Sequence, residues 1–559
     1  MEGAKKAAEA LAEAETFLKN MEAASEKQPL TSSRKTNVNS PLELILGLLE
    51  AYGWKLLGML AFAQWMIKGV VWGFCLSSMD FLFREYSVMG PKMQVYKAIV
   101  MLPWAMKPLF GLLSDALPIF GYQKAPYIMS VSFVAVAAHG MLGMSPAGSL
   151  EIKVVVLCLL TACMQVSVVD LLTEAKYAER IRERPERGPD LMTYVWCGIT
   201  VGNLIATASV GFLIEHLGTH WVYAVTLFPA AVVLVPTCLN WLEEPKMTKE
   251  QAAQCRERLW QQQELLFLVL LTSIATLVLV GVGLLQDSVW VNLVVALCVA
   301  IVILIAFTFL LHPTIGRMNC FFFIQTCCVV DISGASFYFF TDNEAQYPDG
   351  PHFSKIFFAS GLGVFVVGLN LLGMAVYNRY MQHWRYHGLF LFANVLVFAV
   401  NLTALLVYTR LNLVIGIPDT VFVLGTWGIW AIVHMWMWLP GIVLLSQLCP
   451  QGVEATMYAL LAGCHNLGLA VASYVGAGML KTLGISPSGA RDEGHQFQRL
   501  WIAALIQAVA PALTLALLPW MIPNALQTEK ILEPGTTAVS GSPFQNIRTR
   551  LRSATYGTC

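Results

Sequence analysis

The chain is a series of long apolar runs separated by short polar stretches. Crossing the hydrocarbon of a bilayer takes about 20 mostly apolar residues. Fourteen runs meet that length, near 57–79, 95–114, 126–146, 152–173, 192–214, 221–241, 264–285, 289–311, 319–340, 354–377, 388–408, 420–446, 456–480 and 500–522. Polar and apolar residues do not alternate along them, which argues against barrel strands, and their Gly and Pro content is ordinary for membrane helices. The pattern predicts an all-α polytopic membrane protein. Late in the second run, Pro103 and Pro108 each remove a helical N–H and predict that it ends in a kinked or unwound turn. Gly111, Asp115, Gly121 and Lys124 follow, with Pro118 punctuating the loop.

A weak internal repeat organises the runs. Those at 192–214 and 456–480 each carry an early Tyr (Tyr194, Tyr458), then Asn (Asn203, Asn466), then Gly (Gly211, Gly476), and each stops at Leu-Gly. The first two runs similarly match 319–340 and 354–377, each first run ending near an acid, Asp80 or Asp342. Duplicated halves are common in transporters. The economical division is a tail at 1–54, a six-helix half at 55–242, a linker with two extra helices at 243–317, a second six-helix half at 318–523 and a tail at 524–559. Bases concentrate on one set of loops (Lys176, Arg180, Arg182, Arg184 and Arg187, then Lys246, Lys249, Arg256 and Arg258) and on the C-terminal stretch, which places both termini in the cytosol. A short surface helix is expected near 4–24.

Composition agrees. Of 559 residues, 57% are hydrophobic and 13% charged, against about 25% charged in soluble domains. The formal net charge is zero, which gives no reason to expect nucleic acid as a partner. Thirteen cysteines are scattered, most inside apolar runs, and read as small hydrophobes with no metal or disulfide spacing. No string for a zinc hydrolase, a serine hydrolase or a phosphate-binding loop occurs, so neither an enzyme nor an ATP-driven pump has a motif, and no cofactor is expected.

Ionisable and polar groups at membrane depth are therefore the candidates for chemistry. Gln64 and Lys68 share a face of the first helix. Lys68 reads either as half of a helix-joining ion pair or as an anion site. Asp331 stands near its pseudo-symmetric position, eleven before Asp342 as Lys68 is twelve before Asp80. The two are expected to face each other, as poles of a site for an amphoteric solute or as an ion pair that opens during transport. Trp427, Trp430, His434 and Trp438 recur at three-to-four-residue spacing as one stripe, which suits either packing or a platform for a flat ligand. His465 and Asn466 start the matching patch on the next helix, or else are satisfied core groups. Asp170 and Glu174 are four apart and repel, so Lys107 or Lys176 must lie near them or one acid must take up a proton.

The Gly-x-x-x-Asp loop with its following Gly and base resembles the helix 2–3 loop of the major facilitator superfamily. With Pro-Trp-x-x-Lys-Pro ahead of it (Pro103, Trp104, Lys107, Pro108) and Lys-x-Pro-Tyr behind (Lys124, Pro126, Tyr127), the stretch resembles the folate–biopterin transporter family. The resemblance implies two six-helix halves around a central site reached alternately from each side, and cargo among folates, unconjugated pterins and S-adenosylmethionine. It makes Lys107, Asp115, Lys124, Asp170 and Glu174 candidates for a cytosolic gate, a solvated loop edge being the plainer reading. Lys124 departs from the family's tendency to arginine there, and a lysine cannot form the bidentate fork. Asp331, by its burial, is the acid expected to couple protons, and the plasma membrane is the expected location. A receptor or scaffold on the same fold is the alternative of another class.

Overall fold

The computed structural model describes residues 41–146, 148–450 and 453–556. The helix expected near 4–24 lies outside them. The chain divides into two units, Met1–Ala51 and Tyr52–Cys559. All that follows concerns the second.

Every regular element among the described residues is helical, and two isolated bridges are the sole β pairings. Twelve helices are long and apolar enough to cross a membrane. Two further spans, expected as single runs at 95–114 and 319–340, are each broken in two. In chain order the spans are α1 (Leu42–Glu85), the broken pair α2 (Gly90–Met101) and α3 (Lys107–Ala116), α4 (Ala125–Met144), α5 (Ile152–Glu183), α6 (Gly188–His216) and α7 (Thr219–Val232, continued to Cys238). The extra hairpin is α8 (Gln263–Leu285) and α9 (Val289–Leu310). The second half holds the broken pair α10 (Pro313–Cys327) and α11 (Ser333–Thr341), then α12 (Leu362–Val376), α13 (Tyr386–Tyr408), α14 (Asp419–Gln447), α15 (Glu454–Thr482) and α16 (Leu500–Leu513).

Both breaks have local causes. Pro103 and Pro108 turn the chain through a 3₁₀ segment, Leu102–Trp104, before α3 resumes. Between α10 and α11 the Asp331 carboxylate takes the Ser333 N–H at 2.8 Å, a side-chain bond that competes with the helix and starts the second piece.

Small residues let the helices touch by backbone. A π-helical stretch of α1, Ala61–Val71, lies along α6. A Cβ on Gly69 would meet the Ile199 carbonyl at 2.9 Å and one on Gly202 the Trp65 carbonyl at 2.5 Å, while Gly198 leaves room for the Trp65 indole itself. That indole donates to the Tyr194 carbonyl at 3.1 Å. The halves meet along α6, where the Gly211 N–H donates to Ser360 Oγ at 2.9 Å, and along α15, where a Cβ on Gly476 would meet the Gln94 side chain of α2 at 2.8 Å.

The extra hairpin is anchored to both halves. Lys92 on α2 donates to the Gln286 carbonyl at 2.7 Å, and Tyr474 on α15 donates to the Leu279 carbonyl at 3.0 Å. The stretch after 523, expected as tail, packs on the second half. Gln527 is buried, accepting from the Tyr377 hydroxyl at 2.5 Å and donating to the Met381 and Trp384 carbonyls at 2.9 and 3.2 Å.

A direct test uses glycines. Gly198→Val forces the Trp65 ring out of its slot and should lower the melting temperature in detergent by several degrees, an overpacking cost of about 1–3 kcal/mol. Gly281→Ala, with nothing within 4 Å of its Cβ, should leave it unchanged.

Candidate functional site

The best-defined polar feature within the membrane region is a carboxylate clasped by two lysines. Asp170 on α5 is 2% exposed; its Oδ1 accepts from Lys68 of α1 at 2.7 Å and its Oδ2 from Lys107 of α3 at 2.5 Å. Lys107 lies at the start of α3 because the proline turn restarts the helix there. Each ammonium also faces an indole, Lys68 over Trp196 at 5.2 Å and Lys107 over Trp104 at 4.7 Å. Glu174, one turn along α5, bonds the Tyr177 hydroxyl. Of the two bases expected beside these acids, Lys107 reaches Asp170, whereas Lys176 is drawn to Glu179 at 3.3 Å.

Opposite, on the second half, Trp430, His434 and Trp438 form a ladder on one face of α14. The Trp430 and His434 rings stack at 4.7 Å and 18°, and His434 and Trp438 at 6.4 Å and 15°. His465 of α15 adds a tilted ring 5.7 Å from Trp438. The Thr326 hydroxyl gives its hydrogen to the Phe322 carbonyl at 2.7 Å, so its oxygen receives the His465 Nδ1–H at 3.0 Å and leaves Nε2 an acceptor. Asn466 reaches the Trp104 carbonyl in a long contact of 3.5 Å. Neighbouring residues of α15 thus join the ladder to the lysine clasp.

Several expectations are corrected. Lys68 does not face Asp331. Counted back from the helix ends at Glu85 and Thr341, Asp331 corresponds to Cys75, two turns beyond Lys68, so the two groups lie in different layers. Gln64 is 1% exposed and donates to Thr173 Oγ1 at 2.8 Å, a helix-packing bond that leaves it no cavity face. Trp427 leaves the ladder for a cluster with Phe340 of α11 and Phe358 of the turn before α12, at 5.9 and 6.0 Å. Lys124 pairs with Glu179 at 2.9 Å, and Asp115 is exposed.

Other groups escaped the sequence reading. Lys97 on α2 pairs with Asp80 at 2.8 Å and reaches Ser333 Oγ at 3.2 Å; a base inside an apolar run was the signal, the same one that marked Lys68. Glu244 accepts the backbone N–H groups of Gln123, Lys124 and Ala125 at 2.6 to 3.2 Å and so fixes the start of α4. At the end of α1, Arg84 donates to the Thr341 hydroxyl at 2.7 Å, to Asp342 Oδ1 at 2.8 Å and to Gln346 at 2.7 Å. Together with the Tyr338 hydroxyl on the Val88 carbonyl (2.7 Å) and the Phe81–Phe337 contact (5.0 Å), it closes this end between the halves. A cavity of about 440 Å³ lies beside it, lined in part by Arg84, Glu215, Asp342, His352 and Lys355.

The chain matches the BT1 family over residues 68–540. It is similar to the Arabidopsis thaliana protein named probable folate-biopterin transporter 2, 24% identical over 434 residues, covering 78% of this chain and 76% of that one. It is similar to the folate-biopterin transporter of Synechocystis sp., 24% identical over 479 residues, with 85% and 83% covered. Among solved structures, a peptide transporter POT bound to sulfate superposes with TM-score 0.57 at 15% identity, covering 84% of this chain and 96% of that one. A D-xylose–proton symporter does so with 0.52 at 12%, covering 86% and 98%. The fold is that of a major-facilitator-type transporter, an integral membrane protein. The chain belongs to the BT1 family, the folate–biopterin transporters.

Asp342 lies just past α11 with its side chain fully buried, and burial pushes its carboxyl up to about 7 even as the Arg84 guanidinium pulls it down. A carboxyl raised in the closed arrangement binds its proton more tightly there than when hydrated, so acid favours closure and the advantage fades as pH rises through about 7. A Ser360→Cys variant, at a position buried between the halves against Gly211, should therefore react faster with an impermeant maleimide at about pH 8 than at about pH 6, beyond the reagent's own pH dependence on an exposed control cysteine.

Proposed function

We propose that this protein carries a pterin or folate-type metabolite across the membrane by alternating access, with the heteroaromatic ring on the Trp430–His434–Trp438–His465 face and an anionic group at Lys68 and Lys107. The carrying observation is the clasp itself: two ammonium groups at 2.7 and 2.5 Å on one nearly inaccessible carboxylate. A substrate carboxylate can displace Asp170 from one lysine at little electrostatic cost, because one anion replaces another and no unpaired charge is left buried. Stacking on the ladder adds about 0.5–1.5 kcal/mol per ring pair. The relatives' names, which specify folate and biopterin, support the cargo class.

Rocking of the halves exposes the site to either side. The contacts around Arg84 and Asp342 close one end, which on the loop-charge argument is the outer one, with both termini in the cytosol. Lys107, Asp170, Glu174, Lys124 and Asp115 lie toward the opposite end and form its gate as the cycle turns. The plasma membrane is the proposed location.

Uptake in a host lacking folate and pterin carriers tests this, with labelled folate, biopterin and S-adenosylmethionine in parallel. Folate uptake should fall by about tenfold or more in Lys68→Gln and Lys107→Gln, the loss expected when one partner of a charge-assisted contact is removed. Biopterin, which has no carboxylate, should be affected less. Uptake of none of the three, with the native protein in the membrane, would leave the cargo reading without support.

A further inference from the structure

A second polar layer lies between the clasp and the closed end. Lys97 Nζ stands 2.8 and 3.1 Å from the two oxygens of Asp80 and 3.2 Å from Ser333 Oγ. Asp331 accepts from the Ser333 N–H at 2.8 Å and from the Ser473 hydroxyl at 3.2 Å, and its carbonyl accepts from Gln94 at 2.5 Å. Resting on the transport reading above, we propose that Asp80, Lys97 and Asp331 together form the site that takes up and releases a coupling proton.

The first argument is charge. Two carboxylates, of which Asp80 alone is paired with the Lys97 ammonium, lie at a depth where an uncompensated charge is costly. The other ionisable groups nearby do not balance them. Arg84 on α1 is committed to Asp342 on the far side of α11, Lys92 on α2 turns to the carbonyls of α8, Tyr223 of α7 is hydrogen-bonded to Ser78, and α15 presents Ser473. One proton brings the layer to neutrality. The side chains of Lys97 and Asp80 are 21% and 22% exposed, so the layer is not sealed.

The second argument is an orphan acceptor. Gln94 has no exposed surface and gives its amide N–H to the Asp331 carbonyl, yet its Oε1 has no hydrogen-bond partner among the described residues. A buried acceptor left unmade costs about 1–3 kcal/mol. A hydrated proton entering the layer can supply the missing donor.

The third is placement. Asp80 and Lys97 belong to the first half; Asp331, Ser333 and Ser473 belong to the second. Asp331 sits in the α10–α11 break, where irregular backbone at membrane depth is tolerated because it lines a polar path. A proton from water adds to an Asp80 oxygen and releases Lys97, which is then drawn to Asp331 across the interface; loss of the proton to the other side returns Lys97 to Asp80. No other bond forms or breaks. Coupling follows because the position of Lys97, and so the contact between halves, depends on the proton.

The test uses purified full-length protein in liposomes with labelled folate, measuring exchange against internal folate and, separately, accumulation driven by an acid-outside pH step. The native protein should do both. Asp331→Asn and Asp80→Asn should keep exchange within a few-fold and lose driven accumulation by about tenfold or more; Lys97→Arg, which keeps the charge, should retain both. Variants that accumulate like the native protein would overturn the proposal. So would variants that lose exchange as well, since the layer would then serve structure or substrate, and so would accumulation following a sodium gradient with no pH step. Absence of exchange in the native protein would bring down the transport reading and this one with it.

Discussion

The structure turns on one buried carboxylate. Asp170 binds α1 through Lys68 and α3 through Lys107 from a position on α5 with almost no exposed surface. Removing one partner of such a pair costs about 3–5 kcal/mol, because the remaining charge has no water to turn to. The three helices are therefore held in register by an interaction that is strong only while all its members are present, or while another anion stands in for one. The proline turn at Leu102–Trp104 is what allows Lys107 to begin a new helix beside Asp170, so the sequence feature with the most distinctive spelling serves the ionic contact at its centre.

Above the clasp the polar groups come in layers along the boundary between halves. Asp80, Lys97 and Asp331 form one, roughly 10–18 Å beyond Lys68 at the helical rise, counted at the levels of Cys75 and Asp80. Arg84 and Asp342 close the end. The halves meet through glycine: Gly90 against Gly334, Gly211 against Ser360, Gly476 against Gln94. Side-chain-free surfaces slide, whereas interlocked side chains do not, so the apolar contact is permissive and the ionic layers select among positions. The α8–α9 hairpin is bonded to α2 and to α15, and so to both halves.

Much of this was legible in the sequence. The apolar runs marked the spans, and of the two that are broken one showed its reason in Pro103 and Pro108, whereas the break at Asp331 rests on a side-chain bond to the Ser333 N–H. The lysine partner of Asp170 followed from the repulsion of Asp170 and Glu174, which required a base. What failed was register. Matching Lys68 to Asp331 through the acids that follow them assumed equal spacing to different landmarks, and α1 ends five residues past Asp80 whereas α11 ends just before Asp342. Spacing on α14 likewise put four aromatic groups on one stripe, but its breadth allowed Trp427 to turn to Phe340 instead. Lys97 was passed over although it carried the same signal as Lys68, and Gln94 had no sequence signal at all, since its significance is a neighbour it lacks.

The most direct measurement is a structure of the native protein with folate bound. The account predicts a substrate carboxylate on Lys68 or Lys107 with Asp170 displaced from that lysine, and the pteridine ring parallel to the Trp430–His434–Trp438 ladder. Folate bound elsewhere, with both lysines still on Asp170, would contradict it.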